Sequence, residues 1–275
     1  MSRTPYICRV ILGRRLVEYR ERRGMSVPDA YRKTKVSETK LRKLERGVND
    51  AIRLSDIYAF SAVYRCSPEE TDHLIDLAES ADSPGWYHPY DVAPEFAHFI
   101  EQQEAASAIH IYEQEFVNGL FQLEEYLEEL RANRPRQGEE PDRGLRAQRQ
   151  ENVFEKSAPP EIVYVSNEAA LRRQVGGQDV MRTQLRRLIE LDERDHISIL
   201  VVPFAAGAHQ SMSGPYSILY FADGVFPTTV YLESLHGSRY EDEDDIVLHH
   251  EEAFAGTRQI AVPIKEFIDE HYQLA

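Results

Sequence analysis

Ten consecutive residues, Ser37-Glu-Thr-Lys-Leu-Arg-Lys-Leu-Glu-Arg46, concentrate most of the interpretable chemistry of this chain. Lys40, Arg42, Lys43 and Arg46 supply four cations, and arginine and lysine suit guanine O6 and N7 or a phosphate oxygen. Thr39 can contact a base edge as donor or acceptor. Leu41 and Leu44 form an apolar stripe one turn long, so at about 100° per residue Thr39, Arg42, Lys43 and Arg46 fall on the outer faces. Ser37 and the unsatisfied N–H groups of a helix start suit a phosphate oxygen. A helix so equipped, preceded by a second short helix and a tight turn, fits the major groove of double-stranded DNA. The same pattern also fits a charged, solvated helix of an ordinary bundle.

Charge distribution bears on that choice. The chain of 275 residues carries a net charge of −15, which by itself argues against a nucleic-acid partner. Residues 1–50, however, hold 14 Lys and Arg against 6 Asp and Glu, a net of +8, and the remainder carries −23. One module meeting phosphates while the rest keeps the protein soluble gives this split, and so does a basic tail docked on an acidic half.

Other candidate chemistry is weaker. His209, Ser211 and Glu233 have the residue types of a hydrolase triad, but no Gly-x-Ser-x-Gly turn surrounds Ser211. His249 and His250 are adjacent and so project to different faces of a helix, which suits solvent better than a metal. Val175-Gly-Gly177 lacks the Lys-Ser/Thr of a phosphate loop. No catalytic residue, cofactor or metal ligand is assigned. The Gly- and Pro-rich stretch 203–215 reads as a long loop beside a sheet edge. Phe204, His209 and Met212 in it, with Trp86 and Tyr87, form either a ligand- or partner-binding surface or simply an apolar cover for the sheet.

The elements that position these residues follow from periodicity. Ile11, Leu12, Leu16 and Tyr19 recur at helical spacing over Val10–Arg23, and Gly24 closes that helix. Ser26 starts a second helix with Pro28 in its first turn, and Ser37 caps the third, which Gly47 ends. Two more helices are expected at Leu54–Tyr64 and Pro68–Ser80. Ser83-Pro84-Gly85 marks a boundary. The pattern from Ala93 to Ala132 reads as helical with a break near Asn118-Gly119, and residues 134–143 read as an exposed loop before a helix ending at Phe154. Strands are expected at Glu161–Ser166, Ile197–Val202, Tyr216–Phe221 and Thr228–Leu232, the last two joined through Asp223-Gly224. Helices are expected at Val180–Leu191, Asp244–Gln259 and Pro263–Tyr272. The fold class is α+β: an all-α helix-turn-helix bundle over 1–80, then a larger α/β domain with a small mixed sheet over 84–275.

Gly24-Met-Ser-Val-Pro-Asp-Ala and Val36-Ser-Glu-Thr-Lys-Leu-Arg-Lys-Leu-Glu-Arg-Gly47 resemble the Xre-type, phage-repressor-like helix-turn-helix over about residues 10–78. The resemblance implies that Glu38, Thr39 and Lys43 face the bases and Arg46 the backbone, and that Arg20 and Glu45 pair to lock the helices together. Val27 stands where that family commonly has a phosphate-contacting glutamine, and Lys35 replaces the usual turn glycine. Glu38 faces the bases as an anion, which either accepts from cytosine N4 or weakens binding. Further on, Pro84-Gly-Trp-Tyr, Val117-Asn-Gly-Leu-Phe-Gln122, Asn167-Glu-Ala-Ala-Leu171, Val175-Gly-Gly177, Val202-Pro-Phe-Ala-Ala-Gly-Ala-His209, Met212-Ser-Gly-Pro215 and Val230-Tyr-Leu-Glu233 are similar to motifs of the actinobacterial WhiJ-like regulators, also described as antitoxin-like. Asn118 stands where that group usually has proline. Membership implies a transcriptional regulator, often with a small partner protein encoded nearby.

The expected function is sequence-specific DNA binding by a homodimer, since one short helix reads too few bases alone. The competing expectation is an antitoxin-like interaction protein whose acidic part holds a small partner. No apolar run approaches the roughly 20 residues of a membrane helix, and two cysteines, Cys8 and Cys66, offer neither metal spacing nor a disulfide framework. A cytoplasmic protein with reduced thiols is expected.

Overall fold

The computed structural model describes residues 4–47, 52–83, 85–90, 92–133, 143–222, 226–234 and 237–272. These form two compact units, Met1–Pro89 and Tyr90–Ala275. Pro84 of the breaker cluster, residues 134–142 of the expected loop and the Asp223-Gly224 turn lie outside the described residues.

The first unit is five helices: α1 (Pro5–Arg22), α2 (Val27–Thr34), α3 (Glu38–Glu45), α4 (Leu54–Tyr64) and α5 (Pro68–Ala81). Most begin on a residue suited to capping. Thr4, Ser26 and Ser37 accept at 3.3 Å from the N–H groups of Ile7, Asp29 and Lys40. Ser67 and Glu70 form a reciprocal capping box at the start of α5. The apolar stripes then converge, with Leu12 and Leu16 of α1, Leu41 and Leu44 of α3, Ile57 and Phe60 of α4, and Leu74 and Leu77 of α5 buried in one core. Each such side chain contributes about 2–3 kcal/mol. An Arg22–Glu70 pair at 2.6 Å links α1 to α5 at the surface.

The second unit is a seven-stranded mixed sheet with helices on both faces. Its strands are β1 (Ala108–Glu113), β2 (Glu161–Asn167), β3 (Ile197–Val202), β4 (Tyr216–Tyr220), β5 (Thr229–Ser234), β6 (Gly237–Glu241) and β7 (Val262–Pro263), in the order β6-β5-β4-β1-β2-β3-β7. Among the described residues only β1–β2 and β2–β3 are parallel pairs. Helices α6 (Pro94–Ala105), α7 (Glu124–Asn133), α8 (Arg143–Phe154), α9 (Glu168–Arg172), α10 (Gly177–Asp192), α11 (Asp244–Gln259) and α12 (Ile264–His271) complete the unit. Alternation sorts the strand residues by face. Ile109, Ile111, Tyr164 and Ile199 pack with Phe99, Leu185, Leu188 and Phe267 on one side, while Tyr112, Val165, Ile218 and Val230 pack with Val247 and Phe254 of α11 on the other.

One expectation is overturned. The chain from Ala93 to Ala132 is not continuously helical around its break, because its middle forms β1, paired on both sides. Ile109, Tyr112 and Phe116 recur at helical spacing and mask the two-residue alternation of Ile109 and Ile111. Strands β6 and β7 are additional; β6 is an edge strand without a buried apolar face, and β7 has two residues.

The carboxyl ends of β1, β2 and β3 lie at one sheet edge, where Glu113 is level with Ser166 and Asn167 with Val202. The 203–215 loop leaves β3 at that edge and returns to the start of β4, beside β1.

Candidate nucleic-acid interface

Helix α3 is held by its two flanks. Lys35 ends α2 in the left-handed region at φ 63°, a conformation that costs a side-chain-bearing residue about 1 kcal/mol and turns the chain sharply into α3. Buried Val36 anchors the turn, and Ser37 caps the helix that follows. At the other end, α1 comes unusually close. A Cβ added to Gly13 would lie 2.5 Å from the carbonyl oxygen of Leu44 and 2.7 Å from that of Glu45, so only glycine lets the helices meet there.

Arg20 then fixes the approach. Its Nε donates to Glu45 Oε1 at 2.6 Å and its Nη1 to the Met25 carbonyl at 2.9 Å, with the paired side chains only 11% and 9% exposed. Burial opposes the charge of Arg20, but the hydrogen bond and field of Glu45 outweigh it, and the guanidinium sits above its ordinary range. Burial, with the Glu45 carboxylate next, raises the hydroxyl of Tyr64.

The outer side of α3 presents Thr39, Arg42, Lys43 and Arg46, all exposed, with Arg46 as the C-terminal cap residue. These four and Glu38 adjoin one another on that face. Glu38 Oε1 accepts from Arg42 Nη2 at 2.8 Å and from its Nε at 3.0 Å, an exposed pair one turn apart. The carboxylate therefore partly neutralises one of the face's cations. Lys40 points elsewhere: its ammonium is ion-paired to Asp56 of α4 and both are largely covered, so this cation ties α3 to the bundle. Nothing in the local spacing of 37–46 signals that partner, which lies in another helix. A convex helix with exposed threonine, lysine and arginine over a stripe of buried leucines has the shape and charge to enter a groove lined by phosphates.

Trp86 and Tyr87, half-buried and in edge-to-face contact at 6.0 Å, belong to the first unit. Phe204, His209 and Met212 belong to the second. Phe204 and Met212 are 61% and 59% exposed, while the loop backbone is tethered by Glu168, which accepts from the Phe204 N–H at 2.6 Å, and by Gln114, which donates to the Met212 carbonyl at 2.9 Å. His209 Nε2 lies 3.4 Å from the Tyr112 hydroxyl, its Nδ1 is buried with no hydrogen-bond partner, and burial lowers its pKa. Ser211 is buried and its hydroxyl is engaged by Tyr216 and Thr257, each at 2.7 Å, which gives it a packing role. Glu233 is exposed on β5, and the rings of His249 and His250 stand at 90°. The 117–123 segment is bracketed by buried polar groups: Tyr126 and Tyr164 accept from the N–H groups of Val117 and Asn118, and Gln184 accepts from that of Leu123 and donates to the Phe121 carbonyl. That bracket comes from residues far along the chain and escapes a reading by local spacing.

Comparison with known families matches both units. A family described as helix-turn-helix domain matches residues 11–74, from within α1 to within α5. The family described as domain of unknown function (DUF5753) matches residues 96–269. Comparisons with curated proteins and with solved structures gave no match. The first unit is a helix-turn-helix domain, the module of DNA-binding regulators, and among the described residues no helix is long and apolar enough to cross a membrane.

Proposed function

Taking as premise that the chain belongs to the DUF5753 family, with a helix-turn-helix domain ahead of that region, we propose that it is a sequence-specific transcriptional regulator reading the major groove with α3. The observation that carries this reading is the outer face of that helix: Thr39, Arg42, Lys43 and Arg46 exposed together over a fully buried Leu41–Leu44 stripe. In this assignment Thr39 and Lys43 contact base edges, Arg46 and Ser37 contact phosphates, and Glu38 meets bases while restraining Arg42. Lys40 acts through Asp56 as a positioning residue. Arg20 and Glu45 hold α3 at its angle.

The regulator acts as a homodimer on two half-sites, and the DUF5753 region modulates it through a ligand or small partner at the 203–215 loop. The resemblance to WhiJ-like regulators supports that division of labour, as does the placement of the loop at the carboxyl ends of β1–β3, the edge where open α/β sheets take ligands. The exposed Phe204 and Met212 favour a second reading, in which sequestering a small partner is the main activity and DNA binding is secondary.

Chromatin immunoprecipitation with sequencing, followed by footprinting of purified protein on the recovered fragments, tests the main reading. The expected result is a two-fold symmetric site whose half-sites lie about 10 base pairs apart. Recovery of no enriched sequence contradicts it.

A further inference from the structure

The second unit buries a cation that, among the described residues, has no carboxylate in ion-pair contact. Arg149 on α8 is 5% exposed, and its Nε donates to Gln103 Oε1 at 2.6 Å. Its guanidinium lies over the rings of Phe96 and Phe99, 5.3 and 5.1 Å from their centroids. Burial pulls Arg149 down to about 10, which still leaves it charged at neutral pH. Among the described residues no ion pair joins it to an Asp or Glu; Glu233 acts on it only through its field, and the hydrogen bond recorded for it is the one from Nε.

An unsatisfied donor belongs to the residue that holds it. Gln103 is fully buried and commits its oxygen to Arg149, which can only donate, so the orientation of its amide is fixed. Its Nε2 is then buried with no acceptor. Buried donors of this kind normally have partners, and a buried guanidinium normally has an anion. Both phenyl groups contact the guanidinium through their rings, and the planar N–H fork of an arginine is the shape that suits an oxygen pair. A second cation stands close by: the Cβ position of Gly119 lies 3.7 Å from Arg149 Nη1 and 2.5 Å from Arg146 Nη1, so both guanidinium groups approach the same glycine. Arg146 itself is engaged with the Gly119 carbonyl and Gln122, at 2.8 and 2.7 Å.

We propose that Arg149 and Gln103 form an oxyanion site in the DUF5753 region, which takes the carboxylate or phosphate group of a small molecule. The fork of Arg149 holds two oxygens and the Gln103 amide donates to one of them. This site belongs to the second unit and does not depend on how the chain reads DNA.

The full chain is titrated with inorganic phosphate and, separately, with acetate, with sodium chloride holding the ionic strength constant. The readouts are the Arg149 Nε–H signal in NMR spectra and the unfolding midpoint. The expected result is a saturable shift of that signal with one anion, and a midpoint raised by about 3 °C near saturation. Whichever anion saturates first assigns the group as phosphate or carboxylate. Gln103→Glu supplies an internal carboxylate, so it loses the response while its midpoint without ligand rises. Arg149→Lys keeps the charge without the fork and weakens binding by at least about tenfold. No saturable response to either anion in the wild type, or an unchanged response in Gln103→Glu, overturns the proposal.

Discussion

Arg20 on α1 and Glu45 at the end of α3 meet at 2.6 Å with both side chains nearly enclosed, although 25 residues separate them. Removing either partner leaves a covered charge without its counterion. Arg20→Met or Glu45→Leu is expected to cost about 3 kcal/mol in urea unfolding of the first unit. The double variant Arg20→Met/Glu45→Leu is expected to lose less than either single change, because no charge is then stranded. A double variant that loses the sum of both shows that the pair acts in some other way.

Gly13 sets the distance between the same two helices. Gly13→Ala pushes a methyl group against two backbone carbonyls, which have no rotamer with which to yield. The expected loss is about 2–3 kcal/mol, with DNA binding falling as α3 shifts. Gly24→Ala meets open space and pays only for its positive φ of 60°, about 1 kcal/mol. Thermal unfolding of the two variants separates steric contact from backbone conformation.

Glu38 places a carboxylate on the face assigned to DNA and holds Arg42 with it. Glu38→Gln releases Arg42 for phosphate, so binding to non-cognate duplex is expected to tighten several-fold at low salt. The slope of log affinity against log salt steepens by about one phosphate contact. If affinity for the cognate site falls instead, and only at one base pair, Glu38 is reading a cytosine.

His110 lies on β1, stacked on Phe254 at 4.6 Å with its Nδ1 3.2 Å from the Tyr220 hydroxyl. Burial first, and then Arg258, push its pKa down to about 4. The folded state therefore holds a neutral imidazole where the unfolded chain titrates near 6.5. Above about pH 6.5 both states are neutral and its contribution to stability is complete. As the pH falls from there towards 4, the unfolded state takes the proton first and stability drops. Urea midpoints of the second unit at pH 7 and pH 4.5 are expected to differ more in the wild type than in His110→Gln.

How much of this was legible beforehand depended on the range of the interactions. Helix α3 was readable because its start and stop are local, a serine cap and a glycine end enclosing two leucines. Thr39, Arg42, Lys43 and Arg46 reach the surface by the same local rule. Lys40 looked equivalent to them, and its partner Asp56 is invisible to any reading of residues 37–46 alone. β1 was hidden because its apolar residues also satisfy a helical spacing, and only its two neighbouring strands decide between the periods. β6 carries Gly, Ser, Arg, Tyr and Glu, an edge strand without the alternation that marks a half-buried one. The Arg149–Gln103 contact joins α8 to α6 across 46 positions, and a glutamine and an arginine look like surface residues until the fold covers them.

The central claim is that the outer face of α3 reads DNA. The most direct test compares the wild type with Thr39→Ala/Lys43→Ala/Arg46→Ala in mobility shifts on the chain's own promoter region, with circular dichroism confirming equal helix content. Three exposed contacts removed together are expected to weaken binding by at least about 100-fold while leaving the unfolding midpoint unchanged. Undiminished binding by the triple variant, or no binding by the wild type, would contradict the claim.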